Sequence, residues 1–228
     1  TLLKKTCNRT SPGFDKVNYK LLKIINRKAP DILRDLYQAC LHFSTFPKEW
    51  KVGKMVWIPK EGKDPSKSAS YRPICLLSTL GKTLEKLIAE VMYSHIESTG
   101  CIAQEQFGFM RGRGTEDAIQ YVIKKIRSSL PMNRYTVGVL LDISGAFDNI
   151  DWGVVHRELR VKKFPIFVRN ILQSYLTDRI AVSEDCSIPL ARGCPQGSVL
   201  GPLLWIVLYN HVIEALRSPL RSVCCYAD

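Results

Sequence analysis

No stretch of about 18 apolar residues occurs in the 228-residue sequence; the longest run, residues 199–209, is interrupted by Gly201 and Pro202. A helical membrane span is thereby excluded. The first residues, TLLKKTCNRTSPG, contain no apolar segment of the kind a secretion signal needs, and the chain starts with Thr rather than Met. None of the eight cysteines forms a C-x-x-C pair, and His42, His95, His156 and His211 show no ligand spacing. A thiolate or imidazole zinc site therefore has no support, and the cysteines read as reduced thiols in an intracellular protein. Internal repeats and low-complexity blocks are also missing.

Acidic residues are scarce: 21 Asp and Glu stand against 33 Lys and Arg, a net charge of +12. Such an excess suits a polyanionic partner, nucleic acid first of all. The excess is uneven, since residues 1–114 hold 20 basic and 10 acidic side chains and residues 115–228 hold 13 and 11. A basic gripping half followed by a near-neutral working half fits this distribution; a merely well-solvated basic face is the plainer alternative. With 46% apolar and 24% charged residues, the chain is long enough for one or two globular domains.

Periodicity predicts a short helix over 17–26 and a second from Pro30, with Asp31 in its first turn and Phe46 and Pro47 beyond its end. Residues 54–59 alternate as a strand, and EGKDPSKSAS at 61–70 reads as a mobile basic loop. Leu84, Leu87, Ile88, Val91 and Ile96 mark one face of a long helix, with Ser78 or Thr79 as its cap and Gly100 at its end. A helix from Thr115 carries Ile119, Val122, Ile123, Ile126 and Leu130 as its expected buried stripe. The apolar run 136–141 predicts a strand buried on both faces. A helix over 166–176, a hairpin between 180 and 190, a buried helix to about 216 and a last strand in SVCCYAD complete the expected elements.

Two places put a carboxylate at the end of an apolar strand: LLDISGAFD at 140–148 and CCYAD at 224–228. Carboxylates are hard oxygen ligands, and two converging from separate strands can hold paired Mg²⁺ ions about 3.5–4 Å apart for phosphoryl transfer. Taken alone, an Asp at a strand end is as readily a turn former, and Asp148 or Asp151 could cap the helix leading toward Leu159.

The order of segments adds more. SPGFDKVNYKLL (11–22), WIPKEGKDPSKSASYRPICLLSTLGKTLEKLI (57–88), QFGFMRGRGTEDAI (106–119), LLDISGAFDNI (140–150), GCPQGSVLGPLL (193–204) and the terminal YAD follow one another along the chain. Together they resemble, almost end to end, the reverse transcriptases of non-LTR retrotransposons of the long interspersed element type. Six blocks in one order are far more specific than any lone motif. An intron-encoded or telomerase-like polymerase would share the chemistry, but the IPKEGKD and GCPQGSVLGPLL wording favours the retrotransposon family. Gly114 departs from the resemblance, standing where Ser is usual.

The resemblance implies an α+β right hand: fingers and palm, an antiparallel palm sheet backed by helices, and no thumb. Residues 1–40 would be an N-terminal extension packing on the fingers, and residues 41–228 a reverse transcriptase domain truncated at its C-terminal end, an interior fragment of a larger polyprotein. It implies Asp142 and Asp228 as catalytic and metal-binding carboxylates for two Mg²⁺ ions, with the Ile143 backbone carbonyl as a further ligand. Lys60, Arg72, Phe147, Gln196 and Gly197 would bind the incoming nucleotide. Phe147 would stack under its sugar and reject a 2′-hydroxyl, unless it is only a core ring. Lys63, Lys67, Arg111 and Arg113 would contact the template backbone. The expected partners are an RNA template, a DNA primer or nicked target DNA and deoxynucleoside triphosphates, with no membrane. The expected location is nuclear at the integration site, with a cytoplasmic ribonucleoprotein. A catalytically dead, RNA-binding relic of such an element is the alternative from a different class.

Overall fold

The computed structural model describes residues 2–8, 10–67, 70–132, 135–184, 186–218 and 221–226. Seven α-helices, three short 3-10 helices and a four-stranded sheet make up the regular structure of those residues, an α+β arrangement. The first two helices are α1 (Tyr19–Lys28), whose first turn is held by Asn18 Oδ1 accepting from Leu21 N at 3.0 Å, and α2 (Pro30–His42), which opens on proline. Helix α3 (Thr79–Thr99) starts where Ser78 Oγ accepts from Gly81 N and stops at Gly100, in the left-handed region. Helices α4 (Thr115–Ser129), α5 (Trp152–Val161), α6 (Ile166–Leu176) and α7 (Gly201–Leu216) follow. Asp151, as its sequence position predicts, caps α5 by accepting from Val154 N at 2.8 Å.

Strands β1 (Val52–Pro59), β2 (Tyr71–Leu76), β3 (Arg179–Val182) and β4 (Ser187–Leu190) lie in the order β2-β1-β3-β4. β1 pairs antiparallel with β2 in a register that sets Met55 opposite Cys75 and Trp57 opposite Pro73. β3 and β4 form the predicted hairpin, but β3 runs parallel to β1, with Gly53 opposite Ala181. The sheet is therefore mixed. A parallel neighbour needs a long crossover, and here helices α3 to α6 lie between β1 and β3 in the chain.

The core sits between α3, α6 and α7. Leu84, Ile88 and Met92 meet Val168, Ile171, Leu172, Leu203, Leu204 and Ile206, all at most 1% exposed. Each such side chain contributes roughly 1.5–3 kcal/mol through burial. Tyr19, Leu22, Leu33, Tyr37 and Cys40 of α1 and α2 join the same cluster, and Tyr37 donates to the Leu80 carbonyl. Helices α1 and α2 thus share a core with the rest.

Three expected features differ. Residues 136–141 form no strand: Val137, Val139 and Leu140 are 84%, 78% and 97% exposed. Backbone ladder bonds need a neighbouring strand, and among the described residues this run has none, so it lies exposed to solvent. Residues 222–226, the described part of the last expected strand, likewise form no strand; they make one parallel bridge, Cys225 to Gln106, with Cys225 N donating to Glu105 O and Phe107 N to Cys225 O. The apolar stripe of α4 is amphipathic as predicted but not buried: Ile119, Val122, Ile123 and Ile126 are 41–53% exposed, and only Ala118 of this helix is buried. Periodicity reports which face is apolar, not whether an element of the chain covers it. All eight cysteines are unbridged.

Candidate active site

The exposed run 136–141 leads into a turn at 144–149, in which Asn149 N donates to the Gly145 carbonyl at 3.0 Å. The fully buried Ile150 then anchors the chain to the core ahead of α5. This turn is joined to the GCPQGS loop by two backbone hydrogen bonds of 2.8 Å, Gly193 N to Ile150 O and Cys194 N to Phe147 O. Trp152 Nε1 adds a third contact by donating to the Gly193 carbonyl at 2.8 Å. Only glycine allows so close an approach at 193. Its φ is +80°, and a Cβ there would lie 2.7 Å from the Asp148 carbonyl oxygen.

The other side of the same loop adds itself to the outer edge of β2. Cys75 N donates to Gln196 O at 3.0 Å, and a Cβ at Gly197, where φ is +108°, would lie 3.0 Å from Cys75 O. The 144–150 turn, the 193–198 loop and the sheet edge are thus hydrogen-bonded in series. Phe147 is thereby joined to the loop that carries Gln196 and Gly197, nearly fifty positions further along the chain. Phe147 is half-buried, edge-to-face with Phe109 at 6.1 Å and packed against the core.

The remaining predicted site residues take varied positions. Arg72 is exposed on β2, three residues before Cys75, opposite Ile58 of β1. Lys60 follows β1, half-buried, with its N–H on Ser70 O at 2.7 Å. Lys63 and Lys67 lie in the exposed loop between the two strands, Lys67 3.8 Å from Asp64. Arg111 and Arg113 are engaged within the chain. Arg111 Nη2 bonds Glu90 at 2.6 Å with its guanidinium 4.1 Å above the Tyr93 ring, and Arg113 Nη1 donates to the carbonyls of Ala103, Gln104 and Gln106. Asp142 and Ile143 are exposed directly after the 136–141 run, and Asp228 lies outside the described residues. Among the described residues no three His, Cys, Asp or Glu side chains converge as a metal cage. What the 142–143 segment offers is oxygen only, a carboxylate and an open backbone carbonyl, a donor set that fits a hard cation such as Mg²⁺.

Three residues outside the loop that sequence reasoning passed over, Glu85, Tyr175 and Arg179, hold it in place. Glu85 on α3, 1% exposed, accepts through Oε2 from Ser198 Oγ at 2.7 Å, Val199 N at 2.7 Å and Leu200 N at 3.1 Å. Ser198 Oγ also meets Tyr175 Oη at 2.6 Å, and Tyr175 Oη meets Cys194 Sγ at 3.2 Å. Burial raises the Tyr175 phenol well above its ordinary range and pushes the Cys194 thiol up to about 11, so both are neutral donors at pH 7. The buried Arg179 guanidinium lies 4.5 Å from the Tyr175 ring centroid and donates to the Tyr175 carbonyl. One signal for Glu85 was legible: it falls four residues after Gly81 and three before Ile88, a carboxylate inside the buried stripe of α3.

The loop is thus fixed between a sheet edge and an acidic turn, with exposed basic residues on the adjoining hairpin. The model of the reverse transcriptase (RNA-dependent DNA polymerase) family matches residues 58–228, and the chain belongs to that family. Its relatives are proteins of non-LTR retrotransposons. The chain is similar over its whole length, at 34% identity, to the 115 kDa protein of the type-1 retrotransposable element R1DM of Drosophila melanogaster, of which it covers 22%. Over 90% of its length it is 35% identical to the RNA-directed DNA polymerase from mobile element jockey of the same fly, covering 23% of that protein. Over 96% it is 31% identical to the Retrovirus-related Pol polyprotein from type-1 retrotransposable element R1 of Bradysia coprophila, covering 22%. The chain thus spans less than a quarter of the length of these relatives. No helix among the described residues is long and apolar enough to cross a membrane.

Proposed function

We propose that the chain is the nucleotide-binding and catalytic part of an RNA-directed DNA polymerase encoded by a non-LTR retrotransposon. It adds deoxynucleotides to a primer 3′-hydroxyl on an RNA template. The observation that carries this reading is the hydrogen-bonded series linking Phe147, the 193–198 loop and the edge of β2. It supports a single pocket in which a nucleotide sits between the acidic turn and the basic hairpin.

In that pocket the half-buried Phe147 ring lies under the incoming sugar and leaves no room for a 2′-hydroxyl. Gly197, exposed and without a side chain, lets the backbone approach the nascent base pair, with Gln196 beside it. Lys60 and Arg72 supply positive charge to the triphosphate, Arg72 through a planar fork that matches phosphate oxygens. Asp142, the Ile143 carbonyl and Asp228 would hold two Mg²⁺ ions, which make the primer hydroxyl nucleophilic and neutralise the departing pyrophosphate. Lys63 and Lys67 contact the template backbone, and Arg111 and Arg113 present it the edge of the 106–113 segment. Residues 1–40 serve as an extension packed on the fingers, and residues 41–228 as fingers and palm. The primer is DNA, supplied in the element's life by nicked target DNA in the nucleus, after assembly of a cytoplasmic ribonucleoprotein.

The test is primer extension on an RNA template by the longer retrotransposon protein that contains this chain, with and without Asp142→Asn. Extension is expected to vanish in the variant while RNA affinity stays within about twofold. Retained extension would remove Asp142 from the metal site.

A further inference from the structure

Buried carboxylates usually sit beside a cation, as Glu158 does with Lys162 Nζ at 3.6 Å. Glu85 does not; among the described residues no Lys, Arg or His nitrogen lies within 4.0 Å of it. Lys82, three residues earlier on α3, attracts it electrostatically, but the hydrogen bonds it accepts come from the loop. Val199 N and Leu200 N belong to the entry of the 16-residue helix α7, where unpaired N–H groups and the helix dipole favour a negative charge.

The direction of the remaining bonds follows by elimination. Ser198 Oγ has one hydrogen, and it points to Glu85 Oε2, so Tyr175 Oη must donate to Ser198 Oγ. With the phenol hydrogen so used, the Cys194 thiol donates to Tyr175 Oη. A directed chain therefore runs from Cys194 through Tyr175 and Ser198 to the carboxylate, each bond polarising the next. Cys194 and Ser198 bracket Gln196 and Gly197. Both ends of the nucleotide loop are tied to Glu85, while its middle rests on the single bond from Cys75 N.

We infer that Glu85 is a positioning residue for deoxynucleotide binding: from α3 it sets the conformation of the 194–198 loop without touching the substrate. The inference rests on the polymerase reading of the site. A cap that served only the stability of α7 would change how much protein folds, not how the folded protein binds nucleotide. Glu85→Gln separates the two, because an amide oxygen can take the place of Oε2 while the charge and part of the hydrogen-bond strength are lost.

The experiment measures KM for deoxynucleotide, kcat per active site titrated with a bound primer and RNA template, and primer–template Kd in the longer protein. Glu85→Gln and Ser198→Ala are expected to raise KM about tenfold, with kcat per active site and primer–template Kd within about twofold of wild type. Ser198→Thr, which keeps the hydroxyl, is expected to recover the wild-type KM. A fall in the active fraction with KM unchanged would overturn the inference and leave Glu85 a helix cap. A wild-type protein that does not extend a primer on RNA would overturn the polymerase reading itself, and this inference with it.

Discussion

Gly193→Ala tests the junction between the acidic turn and the nucleotide loop without touching a charged group. The new Cβ would be 2.7 Å from the Asp148 carbonyl oxygen and 3.1 Å from that of Phe147, and both neighbours are backbone. A non-glycine residue in the left-handed region costs about 1–2 kcal/mol. Relieving the clash requires the loops to part, which removes the bonds Gly193 N to Ile150 O and Cys194 N to Phe147 O, at about 1 kcal/mol each. The sum is about 3.5 kcal/mol. Gly62→Ala is the matched control: its φ is +70°, but nothing lies within 4 Å of the added Cβ, so only about 1 kcal/mol is expected. In urea unfolding with a slope of about 2.5 kcal/mol/M, the midpoint should fall by about 1.4 M for Gly193→Ala and about 0.4 M for Gly62→Ala. Equal shifts in the two variants would refute the packed junction.

Other consequences are as concrete. Burial holds the Cys194 thiol at about 11, against 9.0 for an ordinary thiol. The folded state then keeps a proton that the unfolded state releases, so stability is full below pH 9 and lost as pH rises from 9 through 11, by about 3 kcal/mol from this group. Cys194→Ala should flatten that part of a stability–pH curve; an unchanged slope would contradict the burial. RNA binding should weaken with salt on a log–log slope of roughly −4 for about six single-strand contacts, and Lys63→Ala or Lys67→Ala should each reduce the slope by about 0.7. Arg113→Ala should instead lower the unfolding midpoint and leave that slope alone, since Arg113 already spends one nitrogen on three backbone carbonyls. A slope change from Arg113→Ala, as large as that from Lys63→Ala, would show the arginine on the template.

Features set by neighbours in the chain were legible in the sequence. The Ser78 cap and Gly100 stop of α3, the Asp151 cap of α5 and the span of α6 all follow from local rules that compete with little else. Features set by distant partners were not. Residues 136–141 have the composition of a buried strand, but a strand exists only in a ladder, and the parallel pairing of β1 with β3 joins segments separated by four helices. The stripe on α4 was legible as an apolar face, while what lies against it was not. At the site, the glycines of GCPQGS announced an unusual turn, yet only the fold shows that one glycine answers to Asp148 and another to Cys75. Glu85 was visible as a carboxylate out of place in an apolar stripe; its partners, more than a hundred residues away, were not.

The central claim, that Phe147 and the 193–198 loop form a deoxynucleotide pocket, meets its most direct test in Phe147→Val. The quantity is the ratio of kcat/KM for a deoxynucleotide to that for the matching ribonucleotide, on one RNA template. Removing the ring should lower that ratio by about 10- to 100-fold, through a gain in ribonucleotide insertion worth about 1–3 kcal/mol. A folding defect lowers both rates and cannot create the new one. An unchanged ratio with reduced overall activity would leave Phe147 a core ring packed on Phe109 and would contradict the pocket.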